Sequence, residues 1–502
     1  MGASKALGHR EVWFVVGSQE LYGPETLRQV DADAREVAGA LDDALPVTVA
    51  AKPALTSAES IRRVLLEANA DDRCVGVVAW MHTFSPARMW IAGLGALDKP
   101  LLHLHTQFGR DLPWADIDMD FMNLHQSAHG DRELGYVLTR LGRRRKTVAG
   151  HWRDPRVVAR VESWVRAACG WSEAQRLRVA RLGDNMRDVA VTEGDKVEAQ
   201  VALGFATNGY GVGDLVERVD AVADGEVDRL LAEVDERYDV APELRAGGDR
   251  RSLLADALRI EAGLRSFLAD TGATAFTDTF EDLHGLAQLP GISAQRLMAD
   301  GFGFAGEGDW KTAALVRILK TMAAGRDGGT SFMEDYTYDL PEGNETVLGA
   351  HMLEICPSIA GGRVSCEAHP LGIGGKADPV RLVFTAAAGP AVVLSLVDLG
   401  ERLRFVANEV DAIEPPHALP KLPVARALWR PRPDLATAAE AWLTAGGSHH
   451  TVYTAALGLE TVADFAEIAG VELLPVGAET RLRDFANEVR WNQAYHHLAR
   501  SL

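Results

Sequence analysis

Glu307, Glu334, His351 and the pair His449–His450 are the residues of this chain whose types could do chemistry together. They sit in four separate stretches: GFAGEGDWKTAA, GGTSFMEDYTY, GAHMLEICPS and TAGGSHHTVY. Two carboxylates and two imidazoles suit a divalent cation of the manganese type. Two carboxylates beside a cation also supply the acid and base that proton transfer next to a carbonyl requires. The residues are too far apart in sequence for a local spacing rule to join them. Taken singly, each has an ordinary reading. Glu307 would complement a helix dipole. Glu334 would be a solvated carboxylate. His351 would be a satisfied core histidine, and an HH pair after two glycines is a weak signal alone.

Residues so dispersed need a fold that gathers them. The first third alternates buried strands with amphipathic helices. Residues 12–16 (VWFVV), 75–80 (VGVVAW) and 101–104 (LLHL) read as continuous apolar strands, and 25–41 has helical spacing. That pattern predicts a parallel sheet covered on both faces. Ligands gather at the carboxyl ends of such strands, where Gly17-Ser18-Gln19, His82-Thr83-Phe84 and His105-Thr106-Gln107 fall. Residues 167–172 read as a linker, and a second α/β unit starts near 178–182 (RVARL). Its longest helix is expected at 251–269, with the stripe Leu254, Leu258, Leu264, Phe267 and Leu268. After 323–329 the helical pattern thins. Short strands at 381–385, 391–397 and 403–406 predict an antiparallel sheet or small barrel.

Composition bounds the partners. A chain of 502 residues holds two or three domains of roughly 100–200 residues each. Its net charge of −19 argues against nucleic acid, because phosphate backbones call for a basic surface. Four scattered cysteines, Cys74, Cys169, Cys356 and Cys366, form no CxxC pair and read as inert thiols in a reducing compartment. No apolar run has the length of a membrane span. The start, MGASKALGHREVW, lacks a signal-peptide core. A cytoplasmic chain with no membrane partner is expected.

Two glycine-rich stretches invite a nucleotide reading. Gly301–Gly306 matches GxGxxG, but the fingerprint needs a strand before it and an acid at the end of the next strand. A helix-like segment, 294–299, precedes it, and 309–320 runs on as helix, so no nicotinamide cofactor is expected. The glycines read better as a tight turn beside Glu307. Residues 372–376 (GIGGK) lack the Ser or Thr and the spacing of a phosphate loop, so ATP is not expected.

Long ordered blocks nevertheless resemble one family, L-arabinose isomerase. They include EVWFVVGSQELYGPETLRQV, WMHTFSPARMWIAGL, HTQFGRDLPW, DMDFMNLHQSAHGDRE, GDNMRDVAVTEGDKVEAQ and TFEDLHGLAQLPG, besides the four stretches above, HPLGIGGK and the final RWN. The resemblance implies two Rossmann-like α/β parallel-sheet domains followed by a β-rich, barrel-like C-terminal domain, divided here at 1–176, 177–328 and 329–502. It implies an intramolecular oxidoreductase of arabinose catabolism that converts L-arabinose to L-ribulose with one Mn²⁺ per subunit. The matching ligands are Glu307, Glu334, His351 and His450, with His449 in a supporting place. Glu307 and Glu334 match the acid/base pair. Gln19, Leu21, Tyr22, Phe84, Gln126, His129, Met186, Phe280 and Ile373 match the substrate pocket. The family assembles as a homohexamer of trimers, with some N-terminal pocket residues supplied by a neighbouring subunit. An isomerase of another aldose, such as L-fucose or D-galactose, and a non-catalytic sugar-binding protein are the rival readings. The ligands would serve an enediol route or a hydride shift alike, and the enediol route uses both carboxylates.

Overall fold

The structure is a computed structural model that describes residues 5–373 and 375–499. Gly374 of the GIGGK stretch, residues 1–4 of the N-terminal sequence and residues 500–502 lie outside the described residues. The chain forms two compact units, one of residues 1–172 with 460–470 and one of 173–459 with 471–502. Its fold class is α/β, with two parallel sheets and a β-rich C-terminal region.

In the first unit, strands Glu11–Gly17, Thr48–Ala51, Cys74–Met81, Leu101–His105 and Lys146–Ala149 are all parallel, in the order 2-1-3-4-5. Cys74–Met81 is buried along its whole length, as a central strand covered on both faces must be. In this doubly wound order the connections diverge after the first and third strands, which opens a crevice at their carboxyl ends. The loops after Gly17 and Met81 therefore face one another. Residues 167–172, expected as a linker, are instead helical within Pro155–Ala174. Ala167, Ala168 and Cys169 are fully buried there, and packing of this face outweighs the weak propensity of Gly170 and Ser172.

The second unit begins with a parallel sheet of Gly303–Ala305, Ala275–Asp278, Arg178–Leu182 and Ala206–Tyr210, in that spatial order. Helix Arg251–Thr271 buries the predicted stripe. It also buries Glu261, which Arg296 and Arg265 neutralise.

The C-terminal β-region closes on itself. Pairing runs from Gly389–Asp398 to His450–Thr454, Thr330–Asp339, Thr346–Ala350, Arg426–Pro431 and Leu403–Ile413, and back to Gly389–Asp398. All six contacts are antiparallel, and closure removes the exposed edges. Strand Glu472–Val476 adds in parallel beside Leu403–Ile413. Val380–Val383, one of the predicted strands, lies outside the ring. It pairs with Ser365–Ala368, which also pairs with Asp239–Val240. The thinning of helix expected here is overturned by Leu435–Ala445, Leu459–Ala469 and Leu482–Ala499. In Leu435–Ala445 the hydrophobic signal is weak because the small residues Ala438, Ala441 and Ala445 do much of the burying.

Among the described residues no helix is long and apolar enough to cross a membrane. The four cysteines are free and buried. Burial pushes the Cys74 and Cys169 thiols to about 11 and Cys366 to about 12, which leaves little thiolate.

Candidate active site

Glu307 follows the short strand Gly303–Ala305 at the carboxyl end of the second unit's parallel sheet. It adopts φ +62°, a left-handed conformation costly for a glutamate. The glycines on either side are there for space. A Cβ on Gly306 would come within 3.0 Å of His351 Cε1, and one on Gly308 within 2.5 Å of Asn185 Cα. The GxGxxG stretch is thus the bed of Glu307, as its missing context implied. The Glu307 carbonyl accepts the Met186 N–H at 3.0 Å, which ties the 183–189 loop to the same corner.

The barrel supplies the other groups through its register. Glu334 lies directly across from His450 on one side and Ala350 on the other. Directly paired residues of antiparallel strands project to the same face, so Glu334 and His450 emerge together. His351 leaves the end of Thr346–Ala350. Phe332, fully buried, wedges between the two imidazoles, with ring centroids 4.9 Å from His351 and 5.0 Å from His450.

The five residues that were scattered in sequence therefore meet. Glu307 Oε2 is 3.5 Å from His450 Nε2, and Glu334 Oε1 is 3.9 Å from His449 Nε2. Two overlapping groups have ligand atoms within 4.8 Å of one another: Glu307 with His351 and His450, and Glu334 with His449 and His450. His449 is as close to Glu334 as a ligand would be, nearer the chemistry than its supporting place implied.

Two carboxylates that sequence reading passed over orient the imidazoles. His450 Nδ1 lies 3.1 Å from Asp309 Oδ2. Asp309 caps helix Trp310–Met322 by accepting from Thr312 N, and its buried carboxyl is also 3.4 Å from Lys311. Burial alone would raise its proton affinity, but Lys311 and His450 hold it well below the usual carboxylate range. His351 Nδ1 donates to Glu354 at 2.6 Å. Burial pushes the His351 imidazole down, and Glu354, backed by Glu334 and Glu307, more than reverses this. Each imidazole thus uses Nδ1 on a carboxylate and leaves Nε2 free. His450 Nε2 is buried with no hydrogen-bond partner among the described residues. A buried nitrogen lone pair facing carboxylates, with the other ring nitrogen fixed, fits a bound cation. Glu354 stands three residues after His351 and Asp309 two after Glu307, a spacing that offered the signal.

A small cavity of about 30 Å³ adjoins these groups, lined by Glu307, His351, Phe280, Ile373 and Asp278 among others. Phe280 and Met186 follow strands of the same sheet. Asp278, also unforeseen, is pushed up to about 8 by burial and by Glu354.

The remaining predicted pocket residues belong to the first unit, around its crevice. Gln19 Nε2 donates to the Phe84 carbonyl at 3.0 Å. The Phe84 ring stacks on His129 at 4.4 Å. Gln126 precedes helix Ser127–Arg140, its N–H donates to the His82 carbonyl, and its own carbonyl accepts from His129 N–H. Tyr22 is half-buried, and Leu21 is exposed. The start of helix Ser127–Arg140 is pressed onto the strand ends. A Cβ on Gly130 would come within 2.7 Å of the Thr83 carbonyl oxygen, and Asp131 binds His103, His105 and the Met81 N–H.

Comparison with known proteins decides what these clusters belong to. Family models of the L-arabinose isomerase N-terminal, central and C-terminal domains match residues 6–176, 178–325 and 329–472. The chain belongs to the L-arabinose isomerase family. Curated L-arabinose isomerases agree over nearly the whole length. The one from a Nocardioides species is 62% identical over 98% of each chain. The one from Herpetosiphon aurantiacus is 58% identical over 98% of this chain and 99% of its own. The one from Geobacillus stearothermophilus is 57% identical over 97% and 98%. This is a family of isomerases, and Glu307 stands at the strand ends where an α/β enzyme keeps its chemistry.

Proposed function

We propose that this chain interconverts L-arabinose and L-ribulose, using Glu307 and Glu334 as the acid/base pair. The observation that carries the chemistry is the convergence of both carboxylates on His450, whose buried Nε2 has no hydrogen-bond partner among the described residues. Aldose–ketose exchange moves a hydrogen between C1 and C2. One carboxylate takes the C2 proton and returns it to C1, while the other moves the proton between the O1 and O2 hydroxyls. An enediol route uses both groups, and no net oxidation occurs, so no nicotinamide or ATP is called for.

The donor set fits Mn²⁺ held by Glu307, Glu334, His351 and His450, with Asp309 and Glu354 fixing the imidazoles. Such an ion, when bound, supplies positive charge that polarises the sugar carbonyl and favours the enediolate. Phe280, Ile373, Met186 and Phe84 are assigned as apolar walls, with Leu21 and Tyr22 beside them. Gln19, Gln126 and His129 are assigned to sugar hydroxyls. A cytoplasmic homohexamer built from trimers, with first-unit pocket residues lent to a neighbouring subunit, completes the reading. So does the division at 1–176, 177–328 and 329–502.

The test is a panel of aldoses with added Mn²⁺, scored for ketose. L-arabinose is expected to give the highest kcat/KM, and chelator to abolish turnover until Mn²⁺ is restored. Higher kcat/KM on L-fucose or D-galactose would reassign the substrate. Full activity in chelator would remove the metal role, and no ketose from any aldose would leave a binding protein.

A further inference from the structure

The chain is strongly acidic, with a net charge of −19, yet one cavity of its first unit is basic. It holds about 260 Å³ and is lined by the run Arg143-Arg144-Arg145-Lys146 together with Lys99. Lys146 is satisfied, with Glu460 at 2.8 Å and Asp464 at 2.6 Å. Its neighbours are not. The Arg143 guanidinium is half-buried and makes no hydrogen bond or ion pair among the described residues. Burial pushes its proton affinity down, and Asp98 only partly offsets this. Arg145 spends its terminal nitrogens on the Arg143 and Gly135 carbonyls and on Thr139, but its buried Nε–H has no acceptor among the described residues. Trp164, 1% exposed, also lines the cavity, and its indole N–H is buried without a partner among the described residues.

Three donor groups around one cavity thus lack acceptors: a guanidinium, a guanidinium Nε–H and an indole N–H. Arginine stays charged at any ordinary pH, so the cost of leaving it half-buried is not relieved by losing a proton. Three acids share the lining with these five basic groups: Asp464 is already taken by Lys146 and Ser163, and Asp98 and Glu467 are exposed, so the lining stays net positive. What the site lacks is a compact anion with several acceptor oxygens. Guanidinium groups bind phosphate oxygens through charge-assisted, often paired hydrogen bonds. A positive cavity in an acidic protein also concentrates such anions.

We propose that this cavity is a phosphate site, taking either free phosphate or the phosphate of a small phosphomonoester. It lies wholly within the first unit and is lined by none of the residues assigned to isomerisation. The test is calorimetric titration of the full-length enzyme with inorganic phosphate and, separately, with glycerol phosphate at fixed ionic strength. Saturable binding is expected, weakened at least about tenfold in Arg143→Gln, since hydrogen bonds to charged groups are worth that much. Arg143 is only half-buried, so this variant keeps the fold. Trp164→Phe, which removes only the indole N–H from the donor set, is expected to weaken binding less. Tighter binding of glycerol phosphate would identify an ester as the ligand, and equal or tighter binding of inorganic phosphate would identify the free anion. Absence of saturable binding by both probes, or unchanged binding in Arg143→Gln, would overturn the site.

Discussion

This chain builds two clusters by different means, one at the carboxyl ends of the first unit's parallel strands and one in the second unit, where the parallel-strand end at Glu307 meets the antiparallel barrel strands. In the first unit, Gln19, Phe84, Gln126 and His129 are held by backbone carbonyls and ring stacking, and they sit on loops. In the second, Glu307, Glu334, His351 and His450 are mostly fixed by strands, with a buried carboxylate behind each imidazole. Groups that grip neutral hydroxyls need shape and donors. Groups that concentrate negative charge need a cation and imidazoles locked in one tautomer. The difference predicts that the clusters fail in different ways when cut.

The largest effect is expected at the carboxylates. Glu307→Gln and Glu334→Gln should each lower kcat roughly 10²–10⁴-fold while circular dichroism stays native. Wild-type turnover in either variant would strike that residue from the acid/base pair. Next comes the carboxylate behind the imidazole. Asp309→Asn should weaken Mn²⁺ binding roughly 10–100-fold, with much of the turnover regained at saturating metal. If metal affinity is unchanged, Asp309 is only a helix cap. A smaller effect is expected in the first unit, where Phe84→Ala should raise KM for L-arabinose roughly tenfold by unseating His129 and removing an apolar wall. Metal affinity should stay as it was. A Phe84 variant that lost metal would erase the contrast between the clusters.

How much of this was legible in the sequence follows from range. The strands at 12–16 and 75–80 were plain because continuous burial writes a continuous apolar run. The glycines beside Glu307 were readable as a turn because a dinucleotide loop needs a context they lack. Residues 167–172 misled because Gly170 and Ser172 look like punctuation, while the packing that keeps them helical comes from elsewhere in the unit. Helix Leu435–Ala445 hid behind alanine. The site itself was legible only as residue types. Asp309 reaches His450 across 141 residues, and Glu334 meets His450 through a barrel register that closes only in the folded chain. No local pattern encodes such a pairing, whereas the His351–Glu354 contact is a three-residue step that could have been read.

The smallest predicted effect concerns how the first unit holds its loop cluster. Asp131 clamps His103 at 2.9 Å and His105 at 2.8 Å, and it lies two residues beyond His129. The hydrogen bond to Asp131 raises the proton affinity of His105 above its ordinary value, against the opposing effect of burial. A histidine whose folded pKa is raised adds stability that is fully present below its unfolded value and is lost as pH rises through its folded one. His105→Gln should therefore lower the urea midpoint of the protein more at about pH 5.5 than at about pH 8.5. The effect should be modest, because the imidazole is partly exposed and solvent screens the pair. A midpoint difference that is flat with pH, or that grows with pH, would show that His105 is held as a neutral ring and that Asp131 positions the helix by packing and hydrogen bonding alone.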